Sequence, residues 1–496
     1  MLADPGPADL RSLTEAQPTS HLTEFGNLDV ITEVTARSKL STFIVADDAS
    51  RHTDPTITRE AFQTLAERQE AHLADKDVVV VDGYIGDHPD ARMRARLIIE
   101  KEFANIAAKQ QILYFPADDD EEPELRVIYT PSLEAPGYPD DRVIAVDLDA
   151  GVTRVLNADY FGESKMGGLR MWDAAMYRRG GLALHSGLKV LDENGRRRVG
   201  LVVGLSGTGK TTTTFSQTGG GHPVQDDFVA LFPEGRVYGT ENGTFAKVYG
   251  LTPESEPAVW HGATQPGSYL ENVAIDAAGR VDFHDKSHTE NSRAVIPGDD
   301  IPGFLAPANV DTADFMLLLN RNNTIIPAVA RLTPDQAAAY FMLGETQGTS
   351  AGGKAEAGKF LRVPGTNPFF AYRHEWQANR LREILDTCDL AVYVLNTGRV
   401  GGGDNGGLKI TPAMSATIVA AIASKAIEWE RDPDFGYEVA SAVPGIDDTE
   451  VLRPRTLYER QGRASEYEAL VEALHADRAA HMAKYPDLRS EIADQV

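Results

Sequence analysis

Lys210 stands in GLSGTGKTTTT, residues 204–214, where Gly204, Gly209, Lys210 and Thr211 satisfy the pattern G-x-x-x-x-G-K-[ST]. Each residue type has a task in holding a polyphosphate. Glycines let the backbone curl until successive N–H groups face phosphate oxygens, the lysine reaches the β- and γ-phosphates, and the threonine hydroxyl takes a position on Mg²⁺. The pattern predicts a nucleoside triphosphate site made by Gly204, Leu205, Ser206, Gly207, Thr208, Gly209, Lys210, Thr211 and Thr212. A short way downstream, Asp226-Asp227 interrupts the apolar run VQDDFVALF. An aspartate at a strand end binds Mg²⁺ directly or through water, so the pair is the expected acidic partner of the loop.

These groups need elements to position them. RRVGLVV (197–203) predicts a buried strand leading into the loop, and the residues after Lys210 a helix whose N-terminus favours anions. Further strands are expected at 77–86, 143–150, 180–187, 224–233, 315–320 and 390–398. Helices are expected at 91–110, 334–343, 373–386 and 412–429, with a charged helical tail from about 455. Strands and helices mixed through both halves predict an α/β protein with its nucleotide-binding half after about residue 185. Glycine-rich stretches at 348–358 and 398–407 fit either mobile lids or plain surface loops; 344–366 is the lid candidate.

Composition narrows the class. The chain has 496 residues, enough for two or three domains. Its 74 acidic and 48 basic residues give a formal net charge of −26, which repels nucleic acid and anionic membranes at long range. Only 14 of the basic residues are lysines, an acidic, lysine-poor balance that fits either a salt-loving host or compositional drift. The lone Cys388 excludes an intrachain disulfide framework and any multi-cysteine metal site. The N-terminus lacks the basic start and apolar core of a signal peptide, and no apolar run reaches membrane-spanning length. A cytoplasmic protein is expected, a monomer or small homo-oligomer acting on small molecules.

GLSGTGKT, QDD, ENGTFAK (241–247), LENV (270–273) and TENSR (289–293) resemble, in order and spacing, the ATP-dependent phosphoenolpyruvate carboxykinases. So do ARSKLSTFIV (36–45), YFGESKMGG (160–168), ALHSG (183–187), VARLT (329–333), VLNTG (394–398) and VPGIDDTEVLRPRTLY (443–458). The serine in the phosphate loop resembles the ATP-using branch rather than the GTP-using one. The resemblance implies a two-lobed α/β fold: an N-terminal substrate-side domain, 1–184, and a nucleotide-binding domain, 185–496, that includes the lid. It also implies the conversion of oxaloacetate and ATP to phosphoenolpyruvate, CO₂ and ADP with Mg²⁺ and Mn²⁺.

Roles follow position by position. Arg37 matches the arginine that grips the substrate carboxylate, and Tyr160 the aromatic residue that contacts substrate or CO₂. His185 and Asp227 match ligands of the second metal, while Thr211 and Asp226 help order the metals. Lys210 and Arg293 match the cations on the transferring phosphoryl group. Lys247 and Glu256 match nucleotide contacts, and Lys409 and Ser415 replace a family arginine and threonine near the adenine.

Three stretches depart from the family. Two adjacent lysines are usual where this chain has Lys165-Met166, and the second of them binds Mn²⁺. Either Lys165 takes the role, or water completes the shell, or the second metal site is weak. Phe228-Val229 stands where Glu-His is usual, and 344–366 lacks the usual lid motif. Two functions are therefore expected in turn: an ATP-dependent carboxykinase, or a relative that phosphorylates a different small acceptor.

Overall fold

The computed structural model describes residues 1–117, 119, 121–193, 195–205, 207–347, 359–403 and 406–496. Two large mixed sheets dominate. The first has eight strands in the order Leu2–Ala3, Val78–Ile85, Met93–Glu100, Leu125–Thr130, Val152–Leu156, Val143–Asp147, Thr42–Val45 and Thr56–Ile57. The second has ten strands and is centred on Leu182–Glu193, Arg196–Val203, Phe315–Asn320 and Ala391–Asn396. A five-stranded sheet joins chain regions far apart in sequence: Gly243–Lys247, Arg293–Pro297 and Tyr269–Glu271 continue into Leu28–Val30 and Ser20–Leu22. The helix Phe161–Arg178 packs on strands of both large sheets and is buried along almost its whole length. The mixed α/β class agrees with the sequence reading. The strand Leu182–Glu193 runs through residues 184 and 185 without a break.

Most strands fall where the apolar runs predict them. Three regions depart, the first being 91–110, read as one amphipathic helix. It forms the strand Met93–Glu100, a 3₁₀ turn, and the helix Ala104–Leu113. Met93, Ala95, Leu97 and Ile99 alternate onto a buried face, the period of a strand. Asp82 and Arg96 are direct cross-strand partners, with two hydrogen bonds of 2.7 Å between their side chains, and they pin the register. The expected helix 412–429 also ends early, at Ala423, and Glu428–Arg431 is a strand. The expected strand 224–233 is two strands, Gly221–Gln225 and Phe228–Leu231, both paired with Leu182–Glu193. Asp226 and Asp227 occupy the junction between them, where the Asp227 carbonyl still accepts from Ser186 N–H at 2.8 Å.

Candidate active site

The strand Arg196–Val203 runs into the phosphate loop, which ends at the short helix Lys210–Phe215. Gly207 and Gly209 adopt φ of 82° and 95°, a region that side-chain-bearing residues rarely occupy, so the loop's tight curl depends on glycine there. The Thr208 hydroxyl donates to the Leu205 carbonyl at 2.6 Å and closes the curl. Beside it opens a cavity of about 750 Å³. Gly207 through Thr212 line one wall; Lys247, Glu256, Lys409 and Ser415 line others. Gly204 and Leu205 are not among the lining residues, and Ser206 falls outside the described residues. Phe215, Leu251, Ile410 and Val419 add apolar side chains to the lining, the kind of surface a purine base packs on. Thr212 donates to Glu256, a carboxyl that burial pushes upward in pKa. Arg321 and Thr397 also line the cavity; Thr397 lies in VLNTG without an assigned role, and Arg321 lies in no motif.

Asp227 collects the neighbouring cations. Lys210 Nζ lies 2.8 Å from its Oδ1 and Lys165 Nζ 2.7 Å from its Oδ2, while His185 Nε2 approaches Oδ1 at 2.9 Å. Burial alone would raise this carboxyl's pKa; the ammonium groups of Lys165 and Lys210 hold it well below the usual range. Burial would likewise deprotonate Lys165, but Asp227 and Glu241 keep it charged. Burial and the nearby Lys210 charge push His185 down to about 4, so its imidazole is neutral. Its Nδ1 faces the Thr366 carbonyl at 3.1 Å, at the far end of the 344–366 segment. Residues 348–358 of that lid candidate lie outside the described residues.

Glu241, which the motif reading left without a role, stands 3.1 Å from Lys165 and is otherwise held by Gln225. Burial pushes its pKa up. Lys165 and Met166 are neighbours in sequence but not in surroundings. Lys165 reaches the Asp227 carboxylate, whereas Met166 is buried in the main apolar cluster. Of the three outcomes open at this position, the structure has the lysine already beside the metal-ligand candidates.

Phe245 organises a second group. Arg293 Cζ lies 5.2 Å and Lys165 Nζ 5.8 Å from its ring centre, and the Tyr160 ring is 6.1 Å away. Asn291 links them. Its Oδ1 accepts from Arg293 Nε and Nη2 at 3.1 and 2.8 Å, and its Nδ2 donates to Tyr160 Oη at 3.3 Å and to the Thr35 carbonyl at 2.8 Å. Thr35 precedes Arg37 by two residues, and the Arg37 guanidinium lies 4.8 Å from the Phe369 ring centre. That ring in turn touches His185 and Phe228. Phe228, one of the departures, therefore packs against His185 directly. Sequence reasoning gave Asn291, Phe245 and Phe369 no role: the first two lie within TENSR and ENGTFAK beside Arg293 and Lys247, Phe369 lies in no motif, and the contacts of all three are long-range.

The donor set can be tested against the metals the resemblance implies. Among the described residues no group of three or more His, Cys, Asp or Glu side chains is arranged to hold a metal by itself. Two pieces do fit. Asp226 accepts from Thr211 and Thr244 on Oδ2, at 3.4 and 3.3 Å, while its buried Oδ1 makes no hydrogen bond. A carboxylate oxygen spare beside a phosphate-loop threonine suits a hard cation. A neutral imidazole and an ionised carboxylate in contact, His185 and Asp227, suit a second, with Lys165 the adjacent nitrogen.

A glycine-curled phosphate cradle, its lysine on a buried carboxylate that also faces a histidine and a second lysine, defines a nucleotide-dependent phosphoryl-transfer enzyme. The family model for phosphoenolpyruvate carboxykinase matches residues 1–449, and the chain belongs to that family. It is 32% identical to a phosphoenolpyruvate carboxykinase (ATP) of Aeropyrum pernix over 92% of each chain. It is 29% identical to the enzyme so named in Alkaliphilus oremlandii, over 92% of this chain and 89% of that one. The corresponding Mesorhizobium japonicum protein is 30% identical, over 86% of this chain and 81% of its own. No helix among the described residues is long and apolar enough to cross a membrane.

Proposed function

We propose that this protein decarboxylates oxaloacetate and phosphorylates the resulting enolate with ATP, giving phosphoenolpyruvate, CO₂ and ADP, a step of gluconeogenesis. The observation that carries this reading is the sharing of Asp227 by Lys210 of the phosphate loop and Lys165 of the substrate side. One carboxylate thus joins the phosphoryl donor's site to the acceptor's. Family membership supports the same acceptor, so a different small molecule is not needed to explain the departures at 165–166 and 228–229.

The residues divide the work as follows. Arg37 presents a planar fork to the substrate carboxylate, and Tyr160 forms part of the wall around the reacting carbons. When the C3–C4 bond breaks, CO₂ leaves and the electron pair moves into the enolate, with charge gathering on oxygen. Lys165 and Arg293, both beside Phe245, face that charge. The enolate oxygen attacks the γ-phosphorus, the bond to the β-bridging oxygen breaks, and ADP departs. Lys210 and Arg293 neutralise the transferring group. Thr211 and Asp226 would hold Mg²⁺ with the nucleotide, and His185 and Asp227 would hold Mn²⁺; when bound, these ions supply Lewis acidity. Lys247, Glu256, Lys409 and Ser415 hold the nucleoside end in the cavity they line. The net charge of −26 supports small-molecule rather than polyanionic partners, and we place the enzyme in the cytoplasm.

The direct test supplies ATP, Mg²⁺, Mn²⁺ and oxaloacetate at low and high salt, and follows phosphoenolpyruvate and CO₂ by a coupled assay. Product dependent on all components is expected. Normal ATP binding with no phosphoenolpyruvate above background would overturn the reading.

A further inference from the structure

We propose that the C-terminal helix Ala464–Met482 positions the phosphate loop through a buried ion pair between Arg478 and Glu345. The proposal rests on the nucleotide reading of that loop and adds a segment the family match does not reach. That match ends at residue 449, so the pair joins a matched residue to an unmatched one.

Arg478 is fully buried. Its Nε and Nη2 donate to the two oxygens of Glu345 at 2.8 and 2.7 Å, a fork-on-carboxylate geometry. Its Nη1 donates to Tyr340 Oη at 2.9 Å, and its plane covers the Tyr340 ring. Arg362 donates to Glu345 Oε1 at 3.0 Å and reaches Asp477 on the C-terminal helix as well. Such a pair is poor evidence for stability, because desolvating two charges offsets most of their attraction; what it does well is fix one geometry.

The fixed group leads to the loop. Asn320 Nδ2 donates to Glu345 Oε2 at 3.3 Å, and Asn320 ends the strand that lies parallel to Arg196–Val203. The Asn320 carbonyl accepts the Thr397 N–H at 2.8 Å, and the Thr397 hydroxyl donates to the Thr208 carbonyl at 2.6 Å. The next residue, Arg321, donates to the Gly207 carbonyl at 2.6 Å. Two consecutive carbonyls of the phosphate loop are thus held from one side. A planar trans peptide then turns the N–H of Gly209 the opposite way from the Thr208 carbonyl. The direction of a phosphate-binding N–H is set by residues that Glu345 and Arg478 hold in place.

The test uses the full chain carrying Arg478→Met, Arg478→Lys or Glu345→Gln, and reads MgATP affinity by titration calorimetry together with the KM of each substrate. A roughly tenfold weaker MgATP affinity is expected for Arg478→Met and Glu345→Gln, with the oxaloacetate KM within about twofold. Arg478→Lys, which keeps the charge without the fork, should fall between. In a Thr397→Val background, Arg478→Met should add less than about twofold, since the link to Thr208 is already cut. Should Arg478→Met not fold, the other two variants carry the same reading. Lower thermal stability with unchanged MgATP affinity, equal weakening of both substrates, or full additivity with Thr397→Val would overturn the inference. A wild-type chain that binds no MgATP overturns the nucleotide reading itself, whereas one that binds it and ignores these substitutions overturns the inference alone.

Discussion

Exchanging side chains at 165 and 166 separates two accounts of the second metal site. If the methionine simply replaces a metal-binding lysine, Met166→Lys should restore a ligand and lower the Mn²⁺ concentration for half-maximal activity. The structure points to a loss of stability with no gain at the metal site. Met166 is 5% exposed and packed in the main apolar cluster, so a lysine there buries an ammonium among apolar side chains. The effective penalty for an unpaired buried ion is several kcal/mol. Taking about 3 kcal/mol, Tm should fall by roughly 3 °C in a chain of this length, with the Mn²⁺ dependence unchanged. Lys165→Met tests the other half. It removes the ammonium 2.7 Å from Asp227 and 3.1 Å from Glu241 and leaves two carboxyl groups facing one another. Loss of a charge-stabilising donor of this kind costs about 10²–10³ in kcat. Steady-state kinetics across a Mn²⁺ titration, with thermal melts of each variant, give both numbers. A Met166→Lys enzyme that melts like wild type and needs less Mn²⁺ would refute the argument, as would a Lys165→Met enzyme within threefold of wild-type kcat.

Three further outcomes follow from the contacts and burial of single residues. Arg37→Lys keeps a charge but loses the planar fork, so the oxaloacetate KM should rise about 10- to 100-fold while MgATP affinity stays put; parallel loss of both would show a general disruption. Asn291→Ala should cut kcat about 10- to 100-fold by releasing Arg293 and Tyr160, again without changing MgATP affinity measured by calorimetry. Asp29, wholly buried and with Oδ2 unpartnered, is pushed up to about 7 by burial. The native state then holds a proton that the unfolded chain releases near 3.8, so this residue's contribution to stability declines as pH rises from about 4 to 7. Asp29→Asn removes that decline: melts at pH 5 and 8 should show the variant gaining on wild type by an amount on the order of 2–3 kcal/mol. Parallel stability profiles would contradict it.

The phosphate loop was legible because its pattern encodes backbone shape directly: glycines at fixed steps demand the positive φ found at Gly207 and Gly209. The cluster on Asp227 was not readable from spacing, since Lys165 lies 62 residues upstream and meets it only through packing. Family resemblance named most of its members but gave no role to Glu241, although that residue opens the matched ENGTFAK stretch. The Arg478–Glu345 pair spans 133 residues and matches no motif, so only the folded chain shows it. Residues 91–110 misled for a different reason: arginines and apolar residues there satisfy both periods, and the cross-strand Asp82–Arg96 pair decides between them.

The assignment at 165–166 depends on helical phase, which sequence alignment cannot supply. Successive residues of an α-helix point about 100° apart, so one of two neighbours faces the cleft and the other does not. The phase of Phe161–Arg178 is set by close approach to the eight-stranded sheet. A Cβ on Gly168 would sit 2.9 Å from Ile85 Cδ1, and one on Gly167 would sit 3.0 Å from Thr153 Cγ2. Two glycines side by side therefore define the face that lies on the sheet, and Lys165 is carried toward Asp227 as a consequence. Met166, one step round, is carried into the core. A family column aligned at 166 compares positions along the chain. The chemistry compares directions in space, and by that measure the nitrogen next to His185 and Asp227 is still a lysine's.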